Sequence, residues 1–250
     1  MPPAASADPP LAPPPRPLGP SEWLLPQPAG DDSDLVGFGA DLRPETLVDA
    51  YRRGIFPWPH ERVALPWFSP DPRAVILPHP GVHVSRTLRR RLRGAPWETT
   101  VDADFEAVVA ACAAARRSGE GTWITAEMAE AYQCLHRLGW AHSVEVWEGD
   151  ELVGGIYGVR VGACFTGESM FHCRTDASKV ALVDLWARWV EAGGAVLDVQ
   201  LPTEHLARMG ALEMPRDRFL ALLASVRDRT VGMRLDRLPV SRLATGQRGG

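Results

Sequence analysis

The chain is almost without lysine. Lys179 is the only one in 250 residues, and every other member of the 27 lysines and arginines is an arginine. The choice of arginine therefore says little, and only its position is informative. Positive charge is also in short supply: the net charge is −4 and the sequence pI about 6.0. A non-specific nucleic-acid binder is normally basic, so contact with a polyanion has to be a local patch. The four cysteines, Cys112, Cys134, Cys164 and Cys173, form no C-x-x-C pair. A disulfide framework is not indicated, and the thiols are expected to be reduced and mostly buried. The seven histidines show no metal-ligand spacing, so no metal is expected. No run approaches the ~18 apolar residues that a membrane helix needs. The first residues lack the positive start and apolar core of a signal peptide. A soluble, cytoplasmic protein without membrane contact is the expectation. There is no G-x-x-x-x-G-K-[ST], hence no P-loop ATP site, and no internal repeat.

What is present is a hydrophobic content of 45%, enough for one large domain or two modest ones. Residues 1–20 are rich in Pro and Ala and are expected to be a disordered or extended leader. Residues 21–80 read as a small N-terminal domain crowded with Pro, Gly and Trp. Its one clear helix is "RPETLVDAYRRG", with Pro44 at the start and Gly54 past the end. Residues 81–232 read as the catalytic domain, and 233–250 as a loosely ordered tail. Within the catalytic domain a basic helix and a strand are followed by two helices, an antiparallel meander over 141–171, a long apolar helix, the buried strand "AVLDVQ" and two short helices. That order predicts an α+β fold with a mixed, mostly antiparallel sheet, the architecture of acetyltransferases.

Three segments carry chemistry. In "ACFTGESMFHC" regular alternation puts Ala163, Phe165, Gly167, Ser169 and Phe171 on one face, and Cys164, Thr166, Glu168 and Met170 on the other. Glu168 then lies on a face suited to burial, where an unpaired carboxylate is costly. A serine nucleophile at Ser169 would need the G-x-S-x-G elbow, but Phe171 stands at the fifth position. In "LDVQ", Asp198 and Gln200 share a face at the end of a strand. They form either a site, with the carboxylate orienting the amide, or an ordinary strand-end cap. Finally, Arg86, Arg89, Arg90 and Arg93 fall on one helical face, with Arg91 beside them. A phosphate backbone or plain solvent can face such a stripe.

Eight stretches together resemble one family, the bacterial leucyl/phenylalanyl-tRNA–protein transferases. They are "LVGFGADLRPETLVDAYRRGIFPW", "WFSPDPRAV", "HVSRTLRRRLR", "GTWITAEMAEAYQCLHRLGWAHSVEVW", "ELVGGIYGV", "FTGESMF", "ASKVALVDL" and "LDVQ", in unbroken order over roughly 35–225. The resemblance implies a reaction. Leu, Phe or Met moves from an aminoacyl-tRNA onto a protein that begins with Arg or Lys, marking it for N-degron degradation. It also implies a GNAT-type catalytic domain and no cofactor. Asp198, Gln200 and Glu168 correspond to the catalytic polar groups. Trp67, Trp123, Ile156, Phe165, Ser169, Leu182, Leu185, Trp189 and Leu197 correspond to the pocket for the amino acid and the terminal adenosine. Ile156 stands where the family often has Met, and Leu185 and Trp189 where phenylalanines are expected, which alters pocket volume and stiffness. Arg86, Arg89, Arg90 and Arg93 would grip tRNA phosphates. A monomer is expected.

Two other readings compete. One is an acetyl-CoA-dependent N-acetyltransferase, although "MFHCRTDASK" has no glycine with which to cradle a pyrophosphate. The other is a non-catalytic adaptor that binds Arg/Lys N-termini or tRNA.

Overall fold

The helices begin where the chain offers a cap. In the computed structural model, which describes residues 9–28, 33–59, 63–117 and 124–245, Pro44 opens α1 (Pro44–Arg52) and Ser85 accepts from the Leu88 amide at the start of α2 (Arg86–Gly94). Asp104, not Asp102, caps α3 (Phe105–Arg117), taking the Ala107 amide at 2.9 Å. Thr125 caps α4 (Ala126–Arg137). The long apolar helix is α5 (Ala177–Glu191), and α6 (Glu204–Arg208) and α7 (Arg216–Val226) follow.

Two sheets result. Three short strands, β1 (Leu35–Phe38), β2 (Phe56–Pro57) and β3 (Pro66–Phe68), pair in the order β1-β3-β2. The large sheet has eight strands: β4 (Arg73–Ile76), β5 (Trp97–Val101), β6 (Ala141–Glu148), β7 (Glu151–Val161), β8 (Cys164–His172), β9 (Val196–Gln200), β10 (Leu212–Met214) and β11 (Leu238–Pro239). Their order is β10-β4-β9-β8-β7-β6-β5-β11, antiparallel throughout except for β8 and β9. A parallel pair needs a crossover, and α5 supplies it. The fold is therefore α+β around a mixed, mostly antiparallel sheet, as expected. Strand β4, which lies within the stretch 21–80, pairs in the large sheet between β10 and β9.

Each face of the large sheet has its own core. On one face Ile156, Phe165 and Leu197 of the sheet meet Trp186 and Trp189 of α5, and on the other Tyr157 and Phe171 meet Tyr51 of α1, Val108 of α3 and Tyr132 of α4. Helix α5 is not apolar all round. Asp184 and Arg188 pair within it at 2.8 Å, both buried, and Arg188 also reaches the carbonyls of Arg234 and Asp236.

Two expectations about the chain's outer segments change. Residues 9–20 of the leader are extended but docked. Leu11 bridges to Arg234, the Ala12 amide donates to the Met233 carbonyl, and Arg16 donates to Leu138. The buried Arg160 guanidinium ties the layer together through the carbonyls of Pro13, Gly139 and Val231. Residues 1–8 of the leader lie outside the described residues. The expected loose tail is packed as far as 245: Met233 and Val240 are fully buried, and α2 lies against the 3-10 turn 240–244. Apolar side chains at every few positions were the overlooked signal.

Candidate active site

The site lies where β8, β9 and the short N-terminal sheet meet. Register sets it up. Tyr157 on β7 pairs with Ser169, but the next residue, Gly158, pairs with Gly167. Glu168 is thus the extra residue of a β-bulge, a device that re-aims a side chain. The face assignment drawn from strict alternation fails beyond this point. Phe165 belongs to the core under α5 and Phe171 to the core under α3, although six residues apart they would share a face in a regular strand. The bulge lets Glu168 point towards α4.

Glu168 heads a buried relay. Its Oε2 accepts from Tyr132 Oη at 2.8 Å, and Tyr132 meets Tyr51 Oη at 2.8 Å. Its Oε1 accepts from Gln200 Nε2 at 3.0 Å. Burial pushes the Glu168 pKa up to about 7; the tyrosine hydroxyls oppose that rise, and the charge of Asp198 adds to it. Burial and the Glu168 charge likewise hold both tyrosines well above their ordinary range. With its amide nitrogen committed to Glu168, Gln200 turns its amide oxygen to the open side. Gln200 also has φ +65°, a left-handed conformation that a non-glycine residue adopts only under constraint.

Asp198 supplies that constraint. It is fully buried, and Arg73 grips it bidentately, Nε to Oδ1 at 2.8 Å and Nη2 to Oδ2 at 2.7 Å. Thr166 Oγ1 adds a bond to Oδ2, and the Gln200 backbone amide donates to Oδ1 at 3.0 Å. The expected contact between Asp198 and the Gln200 side chain is thereby corrected: Asp198 fixes the backbone of Gln200, and Glu168 holds its side-chain amide. Arg73 itself lies between the rings of Phe56 and Phe219 and donates to the Gly54 carbonyl.

Beside Glu168 and Gln200 opens a cavity of about 250 Å³, walled by Phe56, Trp58, Ile156, Met170, Leu182, Val199 and Leu206 among others. A carboxyl group and an amide oxygen thus face a small apolar chamber. Among the described residues no group of three His, Cys, Asp or Glu side chains is arranged to hold a metal ion. No helix there is long and apolar enough to cross a membrane.

A model of the leucyl/phenylalanyl-tRNA protein transferase family matches residues 75–224, and a model of that family's N-terminal domain matches 40–71. The chain belongs to this family. The leucyl/phenylalanyl-tRNA–protein transferase of Stutzerimonas stutzeri is 49% identical over 210 residues, 84% of this chain and 91% of the relative. The transferases of Aromatoleum aromaticum and Anaeromyxobacter dehalogenans are each 51% identical, covering 78% and 82% of this chain and 82% and 88% of theirs.

Against the pocket expected of a leucyl/phenylalanyl-tRNA protein transferase, the side chains divide. Ile156, Ser169 and Leu182 line the cavity with Glu168 and Gln200. Trp67 does not: it is buried in β3, and its indole donates to the Gly39 carbonyl at 2.7 Å. Phe165, Leu185, Trp189 and Leu197 sit in the core under α5, with Phe165 edge-on to Trp189. Trp123 lies outside the described residues. Sequence reading missed Phe56, Met170 and Leu206 in the wall, Tyr51 and Tyr132 behind Glu168, and Arg73. The "SPDPR" stretch offered a cation next to a strand, but nothing in it named the partner. Of the arginine stripe, Arg86, Arg90 and Arg93 are exposed and Arg89 is half-buried, while Leu88 and Leu92 anchor the helix. Among the described residues none of these arginines pairs with a carboxylate.

Proposed function

We propose that this chain is a monomeric, cytoplasmic aminoacyltransferase that moves Leu, Phe or Met from aminoacyl-tRNA to proteins beginning with Arg or Lys. The modified proteins then enter N-degron degradation. One observation carries the reading: an acid and a hydrogen-bond-accepting amide, held by a buried relay, face an apolar chamber of side-chain size. Family membership supports the same reaction.

The aminoacyl ester is already activated. The neutral α-amine of the acceptor attacks the ester carbonyl carbon; the C–N bond forms and the bond to the ribose oxygen breaks. The proton lost by the amine ends on that oxygen, restoring the tRNA hydroxyl. Gln200 Oε1 accepts a hydrogen from the amine and so aims its lone pair. Glu168 faces the cationic acceptor, and Asp198 with Arg73 is a positioning pair that holds Gln200. Ile156, Met170 and Leu182 form an apolar seat for a side chain without a branch at Cβ, as in Leu, Phe and Met. The α2 arginines take the phosphates of the acceptor stem, by shape and charge and not by base identity.

The test is a transfer assay with radiolabelled Leu-tRNA and peptides beginning with Arg or Ala, without ATP or metal. Label on the Arg peptide alone is the expected result. Transfer to neither peptide by folded protein refutes the reading and brings acetyl-CoA binding forward. Loss of transfer in Gln200→Ala, with binding intact, is expected of an enzyme and not of an adaptor.

A further inference from the structure

The catalytic cavity has two unlike rims. On one side its wall runs over Phe56 and Trp58 into an apolar groove that, among the described residues, is lined by Asp34 and by no basic residue. On the other side, lining residues have basic neighbours one step further out. His172 follows Met170 by two residues in a regular part of β8, so the two share a face. Lys179 precedes Leu182 by three residues on α5 and shares its stripe. His205 lies between Thr203 and Leu206 on α6.

These bases crowd one another. Burial, and then the charges of Lys179, Arg208 and His172, hold the His205 pKa below its ordinary value. Each permanent cation here has a carboxylate: Asp176 takes Lys179 at 2.7 Å and Glu204 takes Arg208. His172 meets the Ser178 hydroxyl at 3.4 Å, and among the described residues neither histidine pairs with a carboxylate. An imidazole donates an N–H even when neutral, so two histidines beside an ammonium offer a phosphate a set of donors. A lysine ammonium suits a phosphate as a compact point charge, and this is the only lysine in the chain.

We propose that His172, Lys179 and His205 form the seat of the phosphodiester immediately preceding the terminal nucleoside of the donor RNA. The proposal rests on the transfer reaction above, which brings an ester on a terminal ribose into this cavity. That phosphodiester is the fixed negative charge nearest to the ester. Seated on the rim, it sets the depth at which the aminoacyl group enters.

The test compares two donors with an Arg-initiated peptide as acceptor. One is the dinucleotide CpA carrying leucine on its terminal ribose. The other is the same molecule with an uncharged methylphosphonate linkage. The unaltered protein should show a KM about tenfold lower for the charged donor, as for the loss of one charge-assisted contact. Lys179→Gln and His205→Gln should each raise the KM for the charged donor by several-fold. They should leave kcat and the KM for the neutral donor in place, and Lys179→Arg should restore most of the difference. Equal KM values for the two donors in the unaltered protein overturn the proposal. So do variants that weaken both donors alike, because that is how a purely structural role behaves. No transfer from either donor, or from full-length Leu-tRNA, by unaltered folded protein refutes the reaction itself, and the proposal with it.

Discussion

Asp198→Asn changes one atom in the most constrained part of the site, and its effect can be worked from the hydrogen bonds. Both carboxylate oxygens receive donors that cannot turn away. Oδ1 takes Arg73 Nε and the Gln200 amide, and Oδ2 takes Arg73 Nη2 along with the Thr166 hydroxyl. An asparagine must put its NH₂ at one of these places, so at least one guanidinium N–H faces another donor. The Arg73 charge stays behind, buried among Phe56, Phe219 and the Gly54 carbonyl. Breaking a buried ion pair from one side costs about 3–5 kcal/mol. A domain of this kind holds only about 5–15 kcal/mol in total, so the variant should remain folded but marginal. Urea unfolding followed by circular dichroism at 25 °C measures the loss. Adding Arg73→Met removes the stranded charge, so the double variant should be no less stable than Asp198→Asn alone, while transfer stays low because Gln200 has lost its tether. A single variant within about 1 kcal/mol of the parent would falsify the claim that this pair holds the site together.

Glu168 gives a pH signature. Its folded-state pKa, pushed up to about 7, lies above that of the unfolded chain, so the folded protein binds the extra proton between the two values. Stability should therefore fall as pH rises from about 4.5 to about 7 and then level off, and Glu168→Gln should flatten that slope in pH-dependent thermal melts. In transfer assays the same substitution should raise the KM for an Arg peptide more than the KM for the tRNA. Gln200→Gly relieves a left-handed backbone but takes a donor from the buried Glu168 carboxyl, so the two effects should largely offset in stability, to within about 1 kcal/mol, while transfer is abolished; an active Gln200→Gly protein would contradict the role given to the amide. Reversing Arg90 and Arg93 to Glu should weaken tRNA binding and lower its salt dependence, read from filter binding between about 50 and 200 mM salt, with little change in melting temperature. Ile156→Met replaces a stiff β-branched wall with a flexible one and should shift the ranking of Leu-, Phe- and Met-tRNA donors in competition assays.

Helices with a capping residue and a glycine stop were legible to within a residue or two, as with Thr125 before α4 and Gly54 after α1. So was the meander, whose turn glycines Gly149 and Gly162 carry positive φ. The strands β1, β2, β3, β10 and β11 have two to four residues each and leave no period to read. At the site, residue type and spacing picked out Glu168, Asp198 and Gln200 but gave the wrong wiring. Alternation assumes an unbroken ladder, and a bulge becomes visible only when the partner strand is known. The grip of Arg73 on Asp198 spans 125 residues of sequence, and no local pattern reports it.

The bond between residues 10–12 and 233–235 also bears on how the protein is made. Residues 10–12 leave the ribosome well before their partners, the amide and carbonyl groups of Met233, Arg234 and Leu235. Until then the Arg160 guanidinium lacks its Val231 acceptor, and the core has no cover on that side. A truncated chain can form the meander yet never close this latch. A copy that stops short of Val231 is thus left open to proteases at the seam that residues 231–235 seal.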